Sequence, residues 1–83
     1  MYILISTDRD ELNIMTQFFN TQEEAHSTMV KEILEETYYE SVDDIVDAAD
    51  AGECGFSDND AWAEGRVCGT IQWNIVKVPE KVA

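Results

Sequence analysis

A short acidic segment in the second half of the chain carries the residue types that bind calcium. Asp58, Asn59 and Asp60 are followed by Glu64, and carboxylate and amide oxygens are the ligands that Ca²⁺ prefers. The spacing departs from an EF-hand loop, because Trp62 takes the place of the third ligand and Glu64 comes too early for the last one. Asp58, Asp60 and Glu64 are therefore weak candidates for a divalent-metal site. The simpler interpretation is that the aspartates shape a turn.

The one histidine and the two cysteines do not form a nucleophilic or zinc-binding pattern. His26 falls in the apolar half of a predicted helix, where a histidine is more often packed than catalytic. Cys54 and Cys68 are too far apart for a Cys-x-x-Cys pair, and two thiols with one distant histidine make a poor zinc set. The chain has no Gly-x-Ser-x-Gly sequence and no phosphate-binding glycine loop. We predict a protein that is not an enzyme and that uses no cofactor.

The charge balance is strongly acidic and uneven along the chain. There are 18 Asp and Glu against 5 Lys and Arg, which gives a formal net charge of −13. No Lys or Arg occurs from position 33 to position 65. Such a balance argues against direct binding of nucleic acid, which requires cations to replace the counterions of phosphate. It also argues against attraction to anionic membranes.

A block of one charge sign repels itself, so it has either a function or only a solubilising effect. The functional interpretation is an exposed acidic surface that contacts a basic protein, with carboxylates standing in for phosphates if it mimics DNA. The alternative is a small protein whose acidity serves only solubility, with weak divalent-metal binding at the acidic segment described above. The candidate partner-binding residues are Glu35, Glu36, Glu40, Asp43, Asp44, Asp47 and Asp50.

The hydrophobic periodicity predicts a single α+β domain over residues 1–83. Two apolar runs around a polar turn at 8–11 predict a hairpin, and strict alternation over 70–78 predicts the last strand. A further strand is expected to begin at Ala61, after a loop-like stretch at 52–60. We expect a small antiparallel sheet of three to four strands in ββα(α)ββ order, with one long and one short helix packed on one face.

Capping signals mark both helices. Thr21 and Glu24 form a capping box that opens a helix from about 22 to 38. Ser41 and Asp44 open a second, shorter helix in the same way, and Gly52 is suited to end it. The apolar stripe expected on this second helix is Val42, Ile45, Val46 and Ala49. The core expected between sheet and helix is Ile3, Ile5, Ile14, Phe18, Met29, Ile33, Ile71, Trp73 and Ile75.

The location of the protein is predicted from what the sequence lacks. No apolar run approaches the ~18 residues that span a bilayer, and the N-terminal residues lack the features of a signal peptide. We therefore expect a cytoplasmic protein with reduced cysteines. Its oligomeric state is left open.

The order of the motifs resembles a loose group of small, uncharacterised acidic proteins of bacteria and their phages. The resemblance lies in the Met1–Ile5 start, the Thr21–Ala25 helix start, the Ala61-Trp62 segment and the Trp-x-Ile-x-x-Val segment at 73–78. It implies a shared fold and an origin on a mobile element, with no assigned activity. Acidic phage proteins of this size include inhibitors of host nucleases, some of which mimic DNA.

Overall fold

The computed structural model describes residues 1–8, 13–66 and 69–79, which form a five-stranded antiparallel sheet and two helices. The α+β class is confirmed, but the predicted strand count was too low. A short strand forms inside the stretch predicted to be a loop. The elements are β1 (Tyr2–Asp8), β2 (Asn13–Phe19), α1 (Gln22–Glu36), α2 (Val42–Asp50), β3 (Gly55–Phe56), β4 (Asp60–Glu64) and β5 (Thr70–Lys77).

The strands are arranged in the order β2-β1-β5-β4-β3. The first and last long strands of the chain are therefore neighbours, with Leu4 opposite Ile75 and Ser6 opposite Trp73. The predicted hairpin of β1 and β2 is present, with Ile5 opposite Thr16. Its turn lies outside the described residues. This order makes β1 an interior strand and leaves one long edge, β2, at the side of the sheet.

The core lies between the helices and one face of the sheet. Trp73 is its largest side chain, only 1% exposed, and it lies beneath α1 in the middle of the sheet. The helices contribute Met29 and Ile33 from α1 and Ile45 from α2. The remaining buried apolar residues are Leu4, Ala25, Ala48, Cys54, Ala61, Ala63, Ile71 and Ile75.

Four of the predicted core residues face away from this core. Ile14 and Phe18 are 68% and 62% exposed, and Ile3 and Ile5 are only half-buried. The reason is register: the buried residues of β5 pair with even-numbered positions of β1, and side chains alternate between the faces of a strand. Leu4 therefore points to the helices, whereas Ile3 and Ile5 point to the opposite face.

The helix starts agree with their capping signals. The Thr21 hydroxyl accepts from the Glu24 amide at 3.2 Å and donates to the Glu24 carboxylate. In a complete capping box the Glu24 carboxylate would instead accept from the backbone amide of Thr21. The end of α1 was predicted two residues too late. The backbone leaves the helix at Thr37, whose hydroxyl donates to the carbonyl of Ile33 one turn back. No helix in the described part of the chain is long and apolar enough to cross a membrane.

Candidate protein-interaction surface

The predicted acidic residues occupy the end of α1, the connecting loop and α2. Glu35 and Glu36 are the last two residues of α1, Glu40 lies in the loop, and the four aspartates lie on α2. All seven side chains are exposed. We call these seven residues the acidic surface; they are Glu35, Glu36, Glu40, Asp43, Asp44, Asp47 and Asp50.

The C-terminus of α1 is held by a residue that follows β4. The backbone amide of Arg66 donates to the carbonyl of Glu36 at 2.7 Å, and its guanidinium donates to the carbonyl of Glu35. These bonds satisfy carbonyls that have no partner within the helix, and they place a cation at the negative end of its dipole. Arg66 thus fixes the main chain from which Glu35 and Glu36 project.

The N-terminus of α2 uses one of the aspartates structurally. The Ser41 hydroxyl accepts from the Asp44 amide at 3.3 Å, and the Asp44 carboxylate accepts from the Glu40 amide at 3.1 Å. The predicted pairing of Ser41 with Asp44 is therefore present, although the reciprocal bond reaches Glu40 rather than Ser41. Asp44 stabilises the start of the helix, which leaves the other aspartates of α2 without a capping role.

The C-terminus of α2 is a glycine-dependent turn, as the sequence indicated. Gly52 has φ 81°, and its amide donates to the carbonyl of Ala49 at 3.1 Å. The Glu53 amide then donates to the carbonyl of Ala48 at 2.9 Å. This pair of bonds is the Schellman arrangement. It ends the helix directly after Asp50.

The apolar stripe of α2 was predicted correctly at Ile45 and Ala49 but not at Val42 and Val46, and the difference bears on function. Ile45 and Ala48 are buried, whereas Val42 and Val46 are 42% and 40% exposed and lie one turn apart. In the loop before the helix, Tyr38 is 80% exposed. Large apolar side chains are therefore exposed to water among the carboxylates of the acidic surface. The hydrophobic periodicity had assigned two of them, Val42 and Val46, to the buried stripe.

Behind this surface, Tyr39 faces the core beside Cys54. Burial raises the pKa of Tyr39 to about 12, and a hydrogen bond with Cys54 and the charge of Glu53 act in the same direction. The buried Cys54 thiol donates to the carbonyl of Ile45 at 3.6 Å. These contacts attach the loop before α2 to the core, so Tyr38 and Tyr39 have opposite environments. Sequence reasoning did not distinguish the two tyrosines.

A cleft of about 320 Å³ adjoins the acidic surface. Glu32, Glu35 and Glu36 of α1 line one side, and Trp73 forms part of its floor. The Glu32 carboxylate accepts from the Trp73 indole at 3.1 Å and from the amide of Gln17. Glu32 is half-buried and was not among the predicted site residues, because in the sequence nothing distinguishes it from the exposed glutamates of the helix.

The three metal candidates are not brought together as a ligand group. The Asp60 carboxylate accepts from the Ser57 hydroxyl at 2.8 Å, which forms the turn between β3 and β4. The Glu64 carboxylate accepts from the Thr70 hydroxyl at 2.7 Å on the neighbouring strand. Asp58 receives a hydrogen bond from α1 at its carbonyl. Within the described residues, no three His, Cys, Asp or Glu side chains are grouped to hold a metal.

Of the other residues considered in the sequence analysis, His26 takes a packing position and Trp62 does not. His26 is half-buried, with its ring 5.5 Å from that of Phe56 and its Nδ1 3.4 Å from the Asp58 carbonyl. Trp62 is exposed on β4, on the face away from the helices. Cys68 lies outside the described residues.

Comparisons with protein-family models, with curated proteins and with solved structures find no match. The geometry of the surface is therefore what carries a functional proposal.

Proposed function

We propose that this protein is a non-enzymatic interaction module, whose acidic surface binds a basic surface of another protein. The observation that carries the proposal is the exposure of Tyr38, Val42 and Val46 within the acidic surface. Apolar side chains that lose water on binding supply most of the affinity of protein interfaces, and tyrosine is enriched among them. The surrounding carboxylates speed association with a basic partner and favour it over other partners. A surface that served only solubility would not need the apolar residues.

The position of two aspartates adds a second argument. Asp47 and Asp50 lie in the C-terminal half of α2, where negative charge opposes the helix dipole, and the last turn of this helix contains no basic residue. Carboxylates at these positions lower the stability of the helix. Residues that lower stability without a structural role are expected at functional surfaces.

Among basic partners, proteins that bind nucleic acid are the class we propose. Their surfaces carry cations spaced to contact phosphates, and a row of helical carboxylates offers charge of the same sign. In this proposal the protein is an inhibitor that occupies a nucleic-acid-binding surface, consistent with the resemblance to proteins of mobile elements. Exposed apolar residues then give contacts that DNA itself does not offer.

The test compares two triple variants with equal charge. In Asp43→Asn/Asp47→Asn/Asp50→Asn the acidic surface loses three charges, and Asp44 is kept because it caps α2. In the control, Glu23→Gln/Asp58→Asn/Glu64→Gln, three charges are removed elsewhere. Each protein is immobilised and exposed to a lysate of the source cells at about 0.15 M salt, near the physiological value. We expect the parent and the control to retain the same basic protein and the aspartate variant to lose it.

Two further arms distinguish the kind of contact. Tyr38→Ser/Val46→Thr keeps every charge, and it should release the partner by removing apolar contacts. A DNA duplex added in excess should displace the immobilised protein from a partner that uses its nucleic-acid-binding surface. Retention of the same proteins by all variants would contradict the proposal and favour acidity as a solubilising property. If the aspartate variant loses the partner but DNA does not displace it from the parent, the proposed mimicry of DNA is contradicted, whereas binding through the acidic surface is not.

A further inference from the structure

A hollow of about 250 Å³ lies on the side of the sheet that neither helix covers. It is bordered by two pairs of facing residues on β4 and β5, in which Asp60 is opposite Asn74 and Trp62 is opposite Gln72. All four side chains are exposed. We call these four residues the Trp62 site. Pockets for small molecules usually measure about 300–1,000 Å³, so a hollow of this size suits one planar group rather than a whole ligand.

The indole of Trp62 lies along the sheet rather than projecting from it. Gly55 is opposite Trp62 on β3, and a Cβ atom at Gly55 would coincide with Nε1 and Cδ1 of the indole. Glycine therefore allows the ring to lie over the β3 main chain, which covers part of it. Trp62 nevertheless remains 40% exposed. An aromatic surface is thus already in place beside the hollow.

The polar groups beside the indole can accept hydrogen bonds. One oxygen of the Asp60 carboxylate accepts from the Ser57 hydroxyl at 2.8 Å, which attaches the carboxylate to the turn between β3 and β4. The other oxygen has no partner among the described residues. The side chains of Gln72 and Asn74 each add an amide oxygen on the neighbouring strand. A ligand with several N–H donors matches this set.

The negative charge of Asp60 is not neutralised by a cation in the described part of the chain. Three Lys and Arg residues are described. Lys31 is on α1, Lys77 is on the helical side of β5, and Arg66 donates to carbonyls of α1. Glu64, farther along β4, adds a second exposed carboxylate on the side of the hollow. Uncompensated negative charge beside an aromatic ring favours a cationic ligand.

We propose that the Trp62 site binds an arginine side chain of another protein. A guanidinium group is planar, so it stacks on an aromatic ring, and its N–H groups donate to carboxylate and amide oxygens. A lysine ammonium is a compact, more strongly hydrated charge that does not stack. The hollow has room for the head group alone, so the rest of the residue lies outside it, as it does when a protein presents the side chain. The proposal does not depend on the acidic surface, which lies on the helical side of the sheet.

The test follows NMR signals of the whole chain as Nα-acetyl-arginine amide is added at about 0.15 M salt, which screens general attraction to the acidic chain. We expect saturable shifts of the Trp62 indole N–H and of the side-chain amides of Gln72 and Asn74. The Trp73 indole N–H is an internal control, because it donates to Glu32 and its ring is buried. Its signal should not move.

Matched probes separate the parts of the contact. Nα-acetyl-citrulline amide has nearly the shape of the arginine probe but no charge, so it should bind at least about 3-fold more weakly. Nα-acetyl-lysine amide carries the same charge as the arginine probe but does not stack, so it should bind at least about 2-fold more weakly. Free arginine should bind no more tightly than the blocked form, because its ammonium and carboxylate lie outside the hollow.

Single substitutions test the residues of the site. Asp60→Asn removes one charge and keeps an oxygen that can accept from Ser57, so it should weaken arginine binding about 2- to 5-fold. Trp62→Leu should weaken binding at least about 2-fold, as followed by the Gln72 amide signal. The matched control Glu23→Gln removes one charge from α1 and should bind like the parent. Circular dichroism verifies that each variant is folded.

Four results would overturn the proposal. The first is the absence of a saturable shift at Trp62, including the case in which a neutral sugar shifts this signal and arginine does not. The second is equal binding of the citrulline and arginine probes, and the third is tighter binding of free arginine, which would make the amino acid itself the ligand. The fourth is loss of arginine binding in Asp43→Asn/Asp47→Asn/Asp50→Asn but not in Asp60→Asn, which would place the contact on the acidic surface. The two proposals therefore fail separately.

Discussion

At the scale of single residues, neighbours in sequence have different roles because the fold separates them. Tyr38 is exposed to water in the acidic surface, whereas Tyr39 packs beside Cys54. Trp73 is buried beneath α1 and donates to Glu32, whereas Trp62 is exposed on the face of the sheet away from the helices. The periodicity around Trp73 predicted its burial. No comparable pattern surrounds the tyrosines, since they lie in the loop between the helices.

Tyr39 gives a prediction about pH. Its pKa is about 12 in the folded protein against 10.0 ordinarily, because burial disfavours the phenolate. The unfolded chain therefore loses this proton at a lower pH than the folded chain. The stabilisation is complete below pH 10 and is lost as the pH rises through about 12. In Tyr39→Phe the free energy of unfolding should fall less steeply over this range, as measured by urea denaturation at each pH.

Tyr38→Phe is the control for this measurement, because the Tyr38 ring is 80% exposed. It makes the same substitution at the neighbouring position, outside the core. Equal slopes for the parent and Tyr39→Phe would show that the buried phenol does not contribute.

At the scale of elements, both helix starts, the end of α2 and the buried face of β5 were predictable, whereas the end of α1 and the buried faces of β1 and β2 were not. Capping depends on a few adjacent residues, so Thr21, Ser41 and Gly52 identified their helix ends correctly. The run Tyr2–Ile5 is apolar on both faces, so alternation did not show which face meets the helices. That choice follows from pairing with β5, which is about seventy residues distant in sequence.

The acidic surface shows the same division. Its carboxylates could be named from the cation-free segment, because charge and helix position are local properties. The exposure of Val42 and Val46 could not be predicted from the sequence, since it depends on where α2 meets β3. Periodicity gave the apolar side of the helix, but tertiary packing selected Ile45 and Ala48 for burial.

Gly52 gives a prediction at this scale. Its φ of 81° lies in the left-handed region, where a Cβ costs about 1–2 kcal/mol. Nothing lies within 4 Å of the position that a Cβ would take, so the cost of Gly52→Ala is conformational rather than steric. We expect a lower free energy of unfolding by about that amount in urea denaturation. Gly52→Asn should lose less, because asparagine tolerates this conformation; equal losses would show that the turn is held by other contacts.

At the scale of the whole molecule, negative charge is present on both sides of the sheet. The helical side carries the acidic surface, and the other side carries the exposed carboxylates of Asp60 and Glu64 beside Trp62. The exposed apolar side chains of Ile14 and Phe18 lie on that second side as well. The net charge of −13 is therefore distributed around the sheet, although seven carboxylates are gathered in the acidic surface.

The uneven charge gives the last prediction, which concerns salt. Raising the salt concentration from about 0.01 M to about 0.15 M shortens the screening length from ~30 Å to ~8 Å. Repulsion within a chain of net charge −13 then falls, so the free energy of unfolding should rise. Repulsion is greatest where charges are clustered. Asp43→Asn/Asp47→Asn/Asp50→Asn should therefore gain less from salt than Glu23→Gln/Asp58→Asn/Glu64→Gln, although each triple removes three charges.

Urea denaturation of both triple variants at each salt concentration measures this difference. The expected difference is about 0.5–1 kcal/mol, because neighbouring like charges on a helix each cost a few tenths of a kcal/mol. Potassium chloride should give the same result as sodium chloride, which would exclude binding of one particular cation. Equal salt gains in the two triple variants would show that repulsion is spread over the molecule. The aspartates of α2 would then lower stability no more than other carboxylates do, and the argument that their position reflects a binding function would lose its energetic basis.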